Sequence, residues 1–210
     1  MGCETEKSGA PGCETLRVLI AEDEWLVAFT LREQLEQRGC EVVGIAQTGQ
    51  EALDQCLATH PDVVLMDIRM PVMDGLAATK RVMQEQPTCV VMLTAAGRPA
   101  DVAKAEEAGA MAYLVKPVSG DQILPAIEMA RRRFREFVAL QNEVEELQGA
   151  LETRKVVEKA KGLLMERAGL GEADAFRRMQ KMAMDRRMTM KQVAEKVLAA
   201  AEAADEFFRG

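Results

Sequence analysis

Glu22 and Asp23 directly follow the apolar run LRVLIA at 16–21, and Asp67 closes the run DVVLMD at 62–67. Thr94 closes CVVMLT at 89–94, and Lys116 follows AMAYLV at 110–115. Crowded carboxylates raise one another's pKa unless a cation sits among them. With no His or Cys at these positions, all-oxygen ligation favours Mg²⁺. A carboxylate on such an ion can act as a nucleophile toward phosphorus and give an aspartyl phosphate. Lys116 supplies a compact positive charge for a phosphoryl group, and the Thr94 hydroxyl can donate a hydrogen bond to one of its oxygens. Singly, each is a commonplace turn or cap residue. The combination is informative only if the chain brings them together.

Five apolar runs, at 16–21, 41–46, 62–67, 89–94 and 110–115, alternate with helical periodicity at 24–38, 48–59, 73–85 and 100–108. Gly39 ends the first of these helices. Apolar runs without polar alternation predict strands buried on both faces, hence an α/β fold with a five-stranded, doubly wound parallel sheet. In such a sheet the strand ends carrying Glu22, Asp23, Asp67, Thr94 and Lys116 converge on one crevice. Pro71 stiffens the loop after Asp67, and Asp74-Gly75 suits a turn or helix start.

The stretches LIAEDE, LMDIRMPVMDG, MLTA and AYLVKP resemble the flavodoxin-like receiver domain of two-component response regulators over about residues 16–130. The resemblance implies that Asp67 accepts a phosphoryl group from a sensor histidine kinase. It further implies Mg²⁺ held by Glu22, Asp23, Asp67 and the backbone carbonyl of Arg69. Thr94 and Tyr113 would form a switch pair, Tyr113 turning inward as Thr94 moves toward the phosphate. Glu22 stands where the family more often has Asp. Activity would be limited to phosphorylation from a donor and slow autodephosphorylation.

Beyond Gly120 no strong breaker occurs from Ala126 to Gln148, and Pro125 falls near a helix start. Ile127, Ala130, Phe134 and Phe137 step by threes and fours, as do Leu140, Val144, Leu147 and Leu151, with one slip between the two sets. The pattern predicts a long helix with a coiled-coil seam, and the seam predicts a homodimer in the active state. Three amphipathic segments then predict a small three-helix bundle. The first holds Val156, Val157, Ala160, Leu163, Leu164 and Ala168; the second places Phe176, Met179, Met182 and Ala183 inward; the third opens at Thr189-Met190-Lys191-Gln192 with a capping box. The resulting organisation is a disordered tail at 1–15, a receiver at 16–125, a helical connector at 126–151 and a terminal module at 152–205.

The residues AKGLLMERAGLGEADAFRRMQKMAMDRR and VAEKVL resemble an ANTAR domain, an RNA-binding output. Met179 stands where that family often has Leu. Receiver, connector and module together resemble antitermination response regulators of mycobacterial type, which implies binding to RNA with paired hairpin loops. Residues 153–198 hold twelve Lys/Arg against six Asp/Glu, a local +6 that leaves −13 for the rest of a chain totalling −7. A basic module on an acidic body suits an anionic partner. Lys155, Lys159, Lys161, Arg177, Arg178, Lys181, Arg186, Arg187 and Lys191 are the candidates for RNA contact. The alternative is a DNA-binding response-regulator transcription factor, since TMKQVAEKVL resembles the start of a helix-turn-helix. The segment after it, AAAEAADEFFRG, is acidic and a poor groove-reading helix.

Apolar runs such as VVLM are too short to span a bilayer, and the N-terminus lacks a signal-peptide apolar region. The five cysteines include no CxxC pair, and His60 is the only histidine. This excludes a zinc constellation or a disulfide framework and predicts a cytoplasmic protein without membrane association.

Overall fold

In the computed structural model, residues 15–95 and 99–209 are described. The expected disordered tail lies, but for its last residue, outside the described residues. The apolar runs form β1 (Arg17–Ala21), β2 (Glu41–Ala46), β3 (Val63–Asp67), β4 (Cys89–Thr94) and β5 (Ala112–Val115). All pairings are parallel, in the order β2-β1-β3-β4-β5.

Successive side chains on a strand point to opposite faces, so two helix layers are needed to cover them. Val18 and Ile20 of β1 join Val63 and Leu65 of β3 against α1 (Trp25–Glu36) and the first turns of α5 (Gly120–Ala168), through Leu31, Leu35, Ile123, Ile127 and Ala130. Leu19, Ala21, Val64 and Met66 face the other way, toward α2 (Gly49–Thr59), α3 (Gly75–Glu85) and α4 (Pro99–Glu107), through Leu53, Val82 and Ala105. The sheet is thus doubly wound. Each fully buried Leu or Ile contributes about 1.5–3 kcal/mol.

The run at 110–115 departs from the expectation of a strand buried on both faces. As the edge strand β5 it leaves Tyr113 and Val115 46% and 44% exposed. An apolar run alone does not reveal which strand ends up at an edge.

Contacts group the chain into two units, residues 1–137 and 138–210. The connector and the first helix of the terminal bundle, read separately in the sequence, belong to one 49-residue helix, α5. Pro125 is its sixth residue, inside the helix rather than at its first position, so the amide bond to the Asp121 carbonyl is missing there. In the second unit the C-terminal part of α5 packs with α6 (Glu172–Arg186) and α7 (Met190–Arg209) around Ala160, Met179, Val193 and Ala194. Phe176, expected inward, is 39% exposed. The inward positions are instead Ala175, Met179, Met182 and Ala183, and Phe176 lies one residue, about 100°, off that face. Gly169 and Arg187 take positive φ at the two turns, and Thr189 and Gln192 form the expected reciprocal capping box. Leu140, Val144, Leu147 and Leu151 are all more than half exposed along α5. Among the described residues no helix is long and apolar enough to cross a membrane.

Candidate functional site

Register explains why residues far apart in sequence meet. Ala21 of β1 pairs with Met66 of β3, so Glu22 is carried past the strand end beside Asp67. Asp67 pairs with Leu93, and Thr94 with Val115, so Thr94 and Lys116 arrive at the same end. The chain adds β2 on one side of β1 and β3 to β5 on the other, and the crevice of a doubly wound sheet opens at that switch between β1 and β3. The Lys116 amide donates to the Thr94 carbonyl at 2.7 Å, and the Lys116–Pro117 peptide is cis.

The Lys116 ammonium lies 2.5 Å from Glu22 Oε2 and 3.0 Å from Asp67 Oδ1. Glu22 is fully buried, with the Lys116 ammonium as its close cationic partner. Burial pushes the Glu22 carboxyl above its ordinary pKa, the Lys116 charge opposing and the Asp67 charge adding to the rise. Burial also works against the charged form of Lys116, but its hydrogen bonds and attraction to Glu22 and Asp67 outweigh this and raise its pKa.

Oxygen atoms of Glu22, Asp23 and Asp67 lie within 4.8 Å of one another, with Asp23 exposed to solvent. This is a fitting donor set for a hard divalent cation that keeps several waters. The Glu22 carboxylate, buried and close to the Asp67 carboxylate, is a charge that such an ion would further offset. Beside Asp67 opens a cavity of about 390 Å³ lined by Arg69, Leu76, Thr94, Asp101 and Lys104. Thr94 is buried there, while Tyr113 is half exposed on the edge strand. Asp101 and Lys104 were missed in the sequence; they come from the first turns of α4, which follows β4 and so overhangs the strand ends.

The loop after Asp67 is held by its backbone. Val72 takes φ 67, and the Met73 amide donates to the Pro71 carbonyl at 2.7 Å, a γ-turn. A β-branched residue in that region costs about 1–3 kcal/mol, maintained by the surrounding bonds. Asp74 caps α3 by accepting from the Ala77 amide at 2.7 Å, and the Gly75 amide donates to the Ile68 carbonyl at 2.9 Å.

Trp25, the only tryptophan, is 64% exposed and stacks on Phe29 at 5.3 Å, two residues beyond Asp23. Its fluorescence is expected to change as Mg²⁺ is added. An unchanged signal across a titration that saturates the site by calorimetry would count against ion binding at Asp23.

In the second unit the basic candidates divide. Lys155 pairs with Glu152 at 2.8 Å, and Arg177 with Asp174 at 2.9 Å. Lys161 bridges Glu158 and Glu172 with a side chain only 11% exposed, linking α5 to α6. Lys159, Arg178, Lys181, Arg186, Arg187 and Lys191 are exposed, with no ion-pair partner among the described residues. Lys196, passed over in the sequence, joins Arg186 and Arg187 around a notch at the α6–α7 turn.

Residues 18–128 match the response regulator receiver domain, and residues 145–198 match the ANTAR domain. The chain is 51% identical over 182 residues to the transcriptional regulatory protein PdtaR of Mycobacterium tuberculosis, covering 87% of this chain and 89% of that protein. It is 37% identical over 112 residues to the chemotaxis protein CheY of Bacillus subtilis, covering 53% of this chain and 93% of that one. The response regulator domain of Thermotoga maritima CheB superposes with a TM-score of 0.53 at 30% identity, over 57% of this chain and 98% of that structure. The strand-end carboxylates and lysine thus stand on a receiver fold followed by a basic helical module, and the chain belongs to the response regulators that carry an ANTAR domain.

Proposed function

We propose that this protein is a phosphorylation-controlled, cytoplasmic RNA-binding antiterminator. The observation that carries the reading is the Glu22–Lys116–Asp67 arrangement, with Asp67 lining a cavity, in a chain whose other unit exposes unpaired cations. An Asp67 carboxylate oxygen attacks the phosphorus of a kinase phosphohistidine. The phosphorus–nitrogen bond breaks, and an acyl phosphate forms on Asp67. Mg²⁺ held by Glu22, Asp23, Asp67 and the Arg69 carbonyl would offset the charge of carboxylates and phosphoryl oxygens. Lys116 exchanges its contact with Asp67 for a phosphoryl oxygen, and the Thr94 hydroxyl donates to another. Tyr113 then turns inward from its exposed position, shifting the population toward the active state.

The exposed basic residues Lys159, Arg178, Lys181, Arg186, Arg187 and Lys191 bind loop phosphates of hairpin RNA, with Lys155, Lys161 and Arg177 joining where their ion pairs open. Leu140, Val144, Leu147 and Leu151 step by 4, 3 and 4, the spacing of a two-stranded seam. Pairing there gives two modules for two loops, and avidity follows. RNA held in this way disfavours a terminator hairpin. The DNA-binding alternative is disfavoured by α7, which continues as one helix through its acidic segment instead of breaking to start a recognition helix.

Gel-shift titration of a two-hairpin RNA, with and without acetyl phosphate, tests the reading on wild type and Asp67→Ala. Donor-stimulated binding, lost in the variant and accompanied by a doubled mass in sedimentation, is expected. Binding indifferent to both donor and substitution would break the switch. Tighter binding to duplex DNA than to the RNA would favour the alternative.

A further inference from the structure

The α6–α7 turn is built more rigidly than a connection requires. Arg187 sits in the left-handed region at φ 50, its amide donating to the carbonyls of Ala183 and Met184. The Met188 amide donates to Ala183 at 2.9 Å. On the other side the Thr189 amide donates to Gln192 Oε1 at 2.9 Å, and the Gln192 amide to Thr189 Oγ1 at 3.2 Å. The turn therefore holds Arg186 and Arg187 at fixed positions beside the exposed face of α7. Between them lies an open notch of about 650 Å³, lined also by Gln192, Glu195, Lys196 and Ala199. It is shallow and open to solvent, a surface on which a group held out from another molecule can rest.

The lining has a definite chemistry. Arg186, Arg187 and Lys196 have no ion-pair partner among the described residues, and Glu195 has none either. Gln192 uses its Oε1 on Thr189, which leaves its Nε2 as a donor. The lining thus offers two guanidinium groups at the α6–α7 turn, and one ammonium, one carboxylate acceptor and one neutral donor on adjacent turns of α7. Bases in single-stranded RNA stack on guanidinium planes and are read at their Watson–Crick edges.

We propose that this notch captures one unstacked base of an RNA hairpin loop, adenine or cytosine, together with its phosphate; this rests on the RNA-binding reading above. Glu195 accepts from the exocyclic amino group, and Gln192 Nε2 donates to the adjacent ring nitrogen. Arg187 stacks on the base face, and Lys196 and Arg186 hold the phosphate. Uracil presents a carbonyl oxygen where adenine and cytosine present the amino group, so it would face Glu195 with acceptor against acceptor.

The test uses the full chain and two-hairpin RNAs whose loop positions are replaced one at a time by uridine, with affinity read by fluorescence anisotropy. Arg187→Gly retains the turn, because glycine accepts this φ without strain, and circular dichroism checks that the helices persist. It is expected to weaken binding by about tenfold or more. Lys196→Ala is expected to lower the slope of log affinity against log salt by about 0.7. One loop position should lose about tenfold on replacement by uridine in wild type, and Glu195→Gln should reduce that discrimination. If wild type binds hairpin RNA but these variants bind as tightly and no loop position discriminates, the notch is not the reader and the proposal falls alone. If wild type binds no hairpin RNA, the proposal falls together with the reading it rests on.

Discussion

Replacing Lys116 by methionine is expected to destabilise the first unit by about 3–5 kcal/mol in the absence of divalent cations. Glu22 is fully enclosed, and Lys116 is the cation placed between it and Asp67. Removing one partner of a buried pair leaves the other charge uncompensated. The pH dependence has a definite sign. A carboxyl whose folded pKa is raised contributes stability that is present below its unfolded value and lost as pH rises through the folded one. Glu22 is already raised from an ordinary value of 4.5, chiefly by burial. Without Lys116 it is raised further, so the variant's deficit grows from pH 4.5 toward neutrality and shrinks in acid. Urea unfolding followed through Trp25, the single tryptophan, reports on this unit. The midpoint should fall by roughly 2 M at neutral pH, for an m-value of about 2 kcal/mol/M, and recover in part with Mg²⁺. Equal midpoints for variant and wild type at pH 5 and pH 7.5 would contradict the argument.

Gly75→Ala is expected to damage both stability and phosphoryl acceptance. A Cβ at Gly75 would overlap the backbone carbonyl oxygen of Asp67 and approach its carbonyl carbon at 2.9 Å. The obstacle is backbone, which cannot swing aside as a flexible side chain can. Relief requires moving either the start of α3 or the residue that is to be phosphorylated. The cost is about 3 kcal/mol, at the upper end for added methyl groups. A displacement on the order of 1 Å at a reacting group slows a reaction by about 10²-fold. Phosphorylation by acetyl phosphate, resolved on phosphate-affinity gels, should therefore slow by more than tenfold. A variant that matches wild type in both unfolding midpoint and phosphorylation rate would show that the helix start yields freely.

Much of this was legible in the sequence. Apolar runs and helical periods were enough to derive a doubly wound sheet, because burial on two faces leaves few arrangements. Strand-end positions then indicated which polar residues meet. Edge status was not legible, as β5 shows, since an apolar run looks the same at the centre and at the rim. The angular position of Phe176 was also hidden, because a one-residue shift of the helix face changes little in the pattern. Asp101 and Lys104 needed the placement of α4 over the strand ends. The difference between Lys161, held between Glu158 and Glu172, and Arg187, free at a turn, depends on which helices become neighbours. Charge counting could not separate them.

Among the described residues, the side chains that the second unit buries fully are mostly alanines, with Met179 and Val193 as the larger members, and Val156, Leu164, Met182 and Leu198 pack half-buried around them. Much of this unit's apolar surface already touches water in the folded state, so its heat-capacity increment per residue is smaller than that of the sheet-centred unit and its melting transition broader. Amide protons of α6 and α7 should exchange with solvent faster than those of β1 and β3, because local opening exposes so little. A ligand that binds only the folded form raises the melting temperature in proportion to its free concentration over its dissociation constant, on a logarithmic scale. For a unit so thinly packed, calorimetry is a sensitive readout of RNA binding, and the occupied module should be markedly more ordered than the free one.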